Sequence, residues 1–137
     1  MSQSRSSAGA NNTPLVMGIH HCSLIVADTR HALDFYVNIL CLEIENTRPD
    51  LGYPGVWLKV GGGQIHLLEV ANPYSSSNRT EHGGRDYHVA LQVSDIEEVI
   101  KRLETAGVAY SKSKSGRAAL FCRDFDGNVI EVVEASG

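Results

Sequence analysis

A chain of 137 residues that is 42% hydrophobic and 20% charged has the composition of a soluble globular protein, with length enough to bury one core without staples. Its net charge of -4 offers no basic stripe, which argues against a nucleic-acid partner. No apolar run approaches the ~20 residues that span a bilayer, so no membrane partner is expected.

Residues Met1 to Pro14 are mostly Ser, Asn, Ala and Gly without the apolar centre of a secretion signal, and a disordered tail (1–14) is expected there. A single domain is expected over 15–137. Its first strand runs roughly from Gly18 to Val26. Asp28 or Thr29 then caps a helix in which Leu33, Tyr36, Val37 and Leu40 recur at helical spacing. Leu42 to Thr47 alternates as a second strand, and Arg48 to Gly55 is a loop. Val56 to Val60 and Gln64 to Val70 read as strands joined by the glycines Gly61 to Gly63. These elements make up module one, 15–70. The stretch 71–85, with Pro, Tyr-Ser-Ser-Ser and Gly-Gly and no periodicity, is a linker.

Module two, 86–137, repeats the order. A strand opens at His88, and Ser94 with Glu97 reads as a capping box for a helix from about Ile96 to Ala106. That helix buries Ile96, Val99, Ile100 and Leu103, and Gly107 is placed to end it in a left-handed conformation. Strands at Val108 to Ser111, Ala118 to Arg123 and Asn128 to Val133 follow. The fold class is α+β, built of two tandem βαβββ modules.

The two modules are an internal repeat. His21-Cys22-Ser23-Leu24-Ile25-Val26-Ala27-Asp28 is matched by His88 to Asp95, with His21 and His88, Leu24 and Leu91, Val26 and Val93, and Asp28 and Asp95 each 67 positions apart. Alternation puts His88, Ala90 and Gln92 on one sheet face and Val89, Leu91 and Val93 on the other. In the last strands, Ile65-His66-Leu67-Leu68-Glu69 matches Ile130-Glu131-Val132-Val133-Glu134, so His66 corresponds to Glu131. If the two sheets curl toward each other, the three imidazoles of His21, His66 and His88 converge with the Glu131 carboxylate. Such a set suits one divalent transition metal (Zn, Ni, Co, Mn or Fe) far better than calcium. Each residue alone also reads as an ordinary strand side chain, and it is the pairing that singles them out. His20 should point to the opposite face from His21. Glu69 rivals His66 but falls on the other side of its strand, and pairs with Glu134 as an outward or rim charge. His31 and His82 have no repeat partner, and surface positions are expected for both.

Cys22, Cys41 and Cys122 are odd in number, widely spaced and set among apolar residues, with no CxxC. They read as small buried thiols in a reducing compartment, and a cytoplasmic location is expected.

With these residues in place, the chain resembles the glyoxalase/bleomycin-resistance/extradiol-dioxygenase superfamily, the vicinal oxygen chelate fold. The resemblance runs from Met17 to Ala135 and rests on His21 to Asp28, Asp34-Phe-Tyr-Val-Asn-Ile-Leu40, Tyr87 to Val93, and Asp124-Phe-Asp-Gly-Asn-Val-Ile-Glu131. It implies two βαβββ modules forming a cupped mixed sheet around a divalent ion, with His21, His66, His88 and Glu131 at the positions where relatives carry ligands. Lactoylglutathione lyases often have Glu or Gln in the first module, so three His and one Glu is a departure. Cys41 replaces the Gly of the usual Leu-Gly-Leu step after the first helix, and reads as local packing.

The activity implied is that of a metal-dependent lyase or isomerase acting on a small oxygenated substrate through a metal-stabilised enediolate, with Glu131 as catalytic base. Arg48 and Arg117 are candidates for the anionic end of a substrate, and also read as solvated loop charges. Trp57 lines the cup or belongs to the core. One alternative is a non-catalytic small-molecule-binding protein of the bleomycin-resistance kind, although those generally lack the ligand set. The other is an Fe(II)-dependent dioxygenase, for which a fourth protein ligand leaves less room. A homodimer is expected, and the linker permits modules to pair within one chain or between two.

Overall fold

The computed structural model describes residues 12–74 and 79–136. Most of the expected tail, Met1 to Pro14, lies outside them. Module one runs β1 (His21–Val26), α1 (Thr29–Leu33) continuing as a π-helical segment (Asp34–Ile39), β2 (Glu43–Glu45), β3 (Gly55–Val60) and β4 (Gly63–Glu69). Module two runs β5 (His88–Val93), α2 (Ile96–Thr105), β6 (Tyr110–Lys112), β7 (Ala119–Arg123) and β8 (Val129–Glu134). Each module folds into one four-stranded sheet, ordered β1-β4-β3-β2 and β5-β8-β7-β6, with the first and last strands parallel and the other pairs antiparallel. The repeat in the sequence is thus a repeat in topology.

Alternation along the strands decides the faces. Val26, Leu58, Ile65 and Leu67 in one sheet, and Leu91, Leu120, Cys122, Ile130 and Val132 in the other, join one continuous core with the helices. The polar residues of the same strands are left on the faces away from that core.

The first helix departs from expectation. Its buried stripe is Ala32, Phe35, Tyr36 and Ile39, one position back from the spacing read in the sequence, while Leu33, Val37 and Leu40 pack half-buried at its edges. A hydrogen bond donated by Leu40 N to Phe35 O at 3.0 Å marks the wider π turn. The helix lies between its own sheet and module two, so apolar residues cover most of its circumference and the sequence pattern does not single out one stripe.

Capping also differs in detail. Asp28 caps α1, and Asp95, not Ser94, caps α2 by accepting from the amides of Glu97 and Glu98. Glu69 and Glu134 are more than rim charges. Glu69 Oε1 accepts from Thr29 N at 2.8 Å and Glu134 Oε1 from Ile96 N at 2.9 Å, so each ties the last strand of its module to the start of that module's helix. Gly107 ends α2 with φ 72°, as expected, whereas its repeat partner Cys41 holds φ 62° after the first helix. Cys41 is exposed, contrary to the expected burial, because the residue that turns the chain out of a helix sits at the surface; Cys122 is buried and Cys22 half-buried.

The linker has structure of its own. Residues Gly83–Arg85 form a short 3-10 turn laid on the polar face of the second sheet. A Cβ on Gly83 would stand 2.5 Å from Val129 Cγ1, so only glycine permits this approach.

Candidate functional site

Each polar sheet face carries one pair of the four residues picked out by the repeat. On the first sheet, His21 opens β1, and His66 sits in β4 opposite Trp57 of β3 and beside Ser23 of β1. The imidazoles of His21 and His66 stack at 3.9 Å between centroids, and Trp57 stacks on His66 at 4.3 Å. Trp57 thus belongs to the polar face and not to the core. His66 is only 8% exposed, and burial, followed by the nearby His21, His20 and Arg48, pushes its pKa below the ordinary 6.5. It is a neutral ring at neutral pH, the form a metal ligand requires. Its Nε2 stands 2.7 Å from Gln64 Oε1.

On the second sheet, His88 opens β5, and Glu131 lies in β8 opposite Phe121 of β7 and beside Ala90 of β5. Phe121 therefore occupies in module two the place of Trp57 in module one, and its ring edge meets His88 at 5.2 Å. Glu131 is 4% exposed. Arg117 Nη2 donates to its Oε2 at 2.9 Å, and His88 Nε2 stands 3.2 Å from its Oε1.

The donor chemistry at this second pair is specific. His88 Nδ1 is 2.8 Å from the Asp86 carbonyl oxygen, which can only accept, so Nδ1 carries a proton. In the neutral ring Nε2 then turns a lone pair toward a carboxylate oxygen. A lone pair and a carboxylate oxygen 3.2 Å apart face one point, an arrangement that a cation satisfies. The residues fit a divalent ion on that ground.

The four do not meet as a quartet. Among the described residues no group of three or more His, Cys, Asp or Glu is gathered closely enough to hold an ion. The shared core holds the opposite faces of the two sheets, so one chain presents two separate pairs, His21 with His66 and His88 with Glu131.

The arginines flank these pairs. Arg48 donates from Nη2 to Tyr53 O at 2.8 Å, lies over the Tyr53 ring and keeps a buried Nε without a hydrogen-bond partner. Arg117 reaches Glu131 from the loop before β7, braced by Ser115 Oγ at 3.1 Å. His20 is not turned away as expected. It precedes β1, escapes strand alternation, and brings its Nδ1 to 2.8 Å from His21 Nδ1. His31 is exposed and stacks on Phe125. His82 accepts from Gly84 N and rests 5.1 Å from Phe121, beside the His88–Glu131 pair, so it is not a free surface residue.

Sequence reasoning missed Phe121, Gln64 and a cluster of Arg79, Asp86 and Arg123. Phe121 was available from the repeat as the partner of Trp57. The Arg79–Asp86–Arg123 cluster had no such signal, because its members come from the linker, the approach to β5 and the end of β7.

Two βαβββ sheets of like topology, each presenting a two-residue donor pair at equivalent strand positions, define the tandem-module cup of the vicinal oxygen chelate fold. The chain belongs to the Glyoxalase/Bleomycin resistance protein/Dioxygenase superfamily, whose family model matches residues 18–132. A curated relative, Glyoxylase I 4 of Arabidopsis thaliana, is 29% identical over 129 residues, spanning 90% of this chain and 74% of the relative. Among solved structures, a glyoxalase family protein from Bacillus anthracis superposes with a TM-score of 0.74 at 22% identity, covering 90% of this chain and 99% of that one. A variant of the fosfomycin resistance protein FosX from Listeria monocytogenes, in complex with Mn(II) and 1S,2S-dihydroxypropylphosphonic acid, gives 0.69 at 20% identity, covering 89% and 95%. Lactoylglutathione lyase from Agrobacterium tumefaciens gives 0.62 at 23% identity, covering 89% and 96%. No helix among the described residues is long and apolar enough to cross a membrane.

Proposed function

We propose that the protein is a divalent-metal-dependent lyase or isomerase of the glyoxalase type, acting on a small oxygenated substrate. Each site is assembled in a homodimer from His21 and His66 of one copy and His88 and Glu131 of the other. The observation that carries this reading is the matched pair of half-sites, two donors on each sheet at equivalent strand positions, with the lone pair of His88 Nε2 and a Glu131 oxygen turned to one point. Three imidazoles and a carboxylate suit Zn, Ni, Co, Mn or Fe(II). The FosX structure, of the same fold, contains Mn(II), and two of the similar proteins are named as glyoxalase I or lactoylglutathione lyase.

When bound, such an ion supplies Lewis-acid stabilisation of the enediolate charge that develops on vicinal substrate oxygens. Glu131 takes the proton from the carbon bearing one of these oxygens and returns it to the neighbouring carbon, which completes the isomerisation. Its two oxygens are held separately, Oε1 near His88 and Oε2 by Arg117, so the carboxylate keeps one anchor while the other oxygen turns to the substrate. His88 is unsuited to that task, since Nδ1 already carries a proton and Nε2 faces the donor point. Arg48 and Arg117 hold the anionic end of the substrate, and Trp57 and Phe121 floor the two halves of the cup.

The reading is tested by mixing two variants, His66→Ala and His88→Ala, after joint unfolding and refolding. Neither variant alone holds a complete donor set. In a heterodimer one site combines both defects and the other is intact, so random pairing restores roughly a quarter of the sites. Metal content by elemental analysis and turnover of 2-oxoaldehyde thiohemiacetals should both recover to about that fraction. A mixture that recovers nothing removes the shared site. Wild-type protein that takes up none of the five ions removes the enzyme reading and leaves a sequestering cup.

A further inference from the structure

The approach to β5 carries an ion cluster that the proposed reaction does not use. Asp86 Oδ2 accepts from Arg79 Nε at 2.6 Å and from Arg123 Nη1 at 3.0 Å, while Oδ1 accepts from Tyr87 N at 2.8 Å. The Asp86 amide donates to Gly83 O at 3.0 Å. Both arginines also donate to Gly127 O, at 2.9 and 2.8 Å, and Arg123 donates to Thr80 O. The carboxylate is 8% exposed. The end of the linker and the strand start that follows it are thereby tied at one residue to the distant β7–β8 turn.

What this fixes is a carbonyl. With its amide and both carboxylate oxygens held, Asp86 cannot rotate, and its carbonyl oxygen is kept 2.8 Å from His88 Nδ1. We propose that Asp86, clamped by Arg79 and Arg123, is a positioning residue that holds His88 in the Nδ1–H tautomer and leaves Nε2 bare toward Glu131. Free histidine in water favours the opposite tautomer, with the proton on Nε2, so a fixed acceptor at Nδ1 is needed to reverse the preference. A partner at the far nitrogen sets both tautomer and ring orientation of a liganding imidazole, and losing such a partner typically lowers metal affinity roughly 10- to 100-fold. The purpose of the device rests on the metal-site reading above, but the tautomer itself does not.

The test uses metal-free, ¹⁵N-histidine-labelled protein at pH 8 and reads each ring by long-range ¹H–¹⁵N correlation. His88 is assigned by the signals missing from His88→Gln. Wild-type His88 should show Nδ1–H, and Asp86→Ala should move it toward Nε2–H. Asp86→Asn, which keeps an acceptor oxygen for one arginine, should fall between. Affinity for Zn²⁺ by calorimetry should drop in the same order, by roughly 10- to 100-fold in Asp86→Ala. A wild-type His88 whose Nδ1 carries no proton overturns the proposal without recourse to any variant. So does a folded Asp86→Ala protein whose His88 keeps the wild-type tautomer. An Asp86-dependent tautomer in a protein that binds no metal would leave the positioning role standing and sink the metal site instead.

Discussion

The phenol of Tyr36 donates a 2.6 Å hydrogen bond to Asp124 Oδ2, joining the helix of module one to the β7–β8 turn of module two across 88 positions of chain. Asn128 completes the joint, with Nδ2 bonded to Asp124 Oδ2 and to Ile25 O, and Asp126 Oδ1 accepts from Ala27 N at 2.9 Å. The Asp-Phe-Asp-Gly-Asn run thus serves as the fastening between the modules, while Glu131, seven residues past Asp124, lies on the polar face beside His88. Burial pushes the Asp124 pKa up, against the pull of its hydrogen bonds from Tyr36 and Asn128.

Tyr36→Phe should therefore destabilise the protein by about 1.5–3 kcal/mol at pH 7, because a buried charged acceptor loses a donor. Asp124 already has a folded-state pKa above its unfolded value, and losing the phenol should raise it further. A raised folded pKa gives a contribution that is present at low pH and lost as pH rises through that value. The penalty should thus be smaller at pH 4 than at pH 7, as read by urea unfolding at both.

Cys41 is the only non-glycine with positive φ among the described residues, at a position where its repeat partner is Gly107. Left-handed backbone costs a residue with a Cβ roughly 1–2 kcal/mol. Cys41→Gly should accordingly raise stability by about 1 kcal/mol, after the added flexibility of the unfolded chain is offset. Thermal unfolding of the two proteins side by side decides it, and an unchanged or lower midpoint contradicts the strain argument.

The stability of the metal-free protein should decline as pH falls below about 6.5. The lowered pKa of His66 means that the unfolded chain takes up a proton there which the folded chain refuses until a lower pH. The contribution is fully present above the ordinary histidine value and is lost on the way down to the folded one. In His66→Gln the decline should be shallower; an equal slope in both proteins would place the dependence elsewhere.

At saturating metal, Glu131→Gln should lower kcat by roughly 10²–10⁴-fold, the range for loss of a positioned base. Arg117→Ala should chiefly raise KM for an anionic substrate. Steady-state kinetics with occupancy checked by elemental analysis separates the two. Equal kcat in Glu131→Gln and wild type would remove Glu131 as the base.

Much of the architecture was legible because it was written twice. The 67-residue offset between His21 and His88 gave the modules, and alternation gave the face on which each histidine lies. Gly107 could be read as a helix stop from its place alone. The first helix was harder: with Ala32 to Leu40 nearly all apolar, the true stripe and the one read differ by a single position, and only the neighbour on each side selects between them. His20 misled because alternation applies to paired strand residues, and β1 begins one residue later.

The chain by itself determined which of these residues share a sheet face, since a period of two within a strand and a fixed offset between modules are properties of sequence. Only the tertiary structure decided how the pairs stand to each other. The shared core joins the apolar faces of both sheets with the helices, and that packing leaves His21 and His66 on one polar face and His88 and Glu131 on another. It also decided the fittings around them: Asp86 between two arginines, Trp57 and Phe121 opposite the paired positions, Glu69 and Glu134 at the helix starts. The Arg123–Asp86 contact and the Glu69 and Glu134 bonds join segments far apart in the chain, where charge and shape are matched in space and leave no period to read.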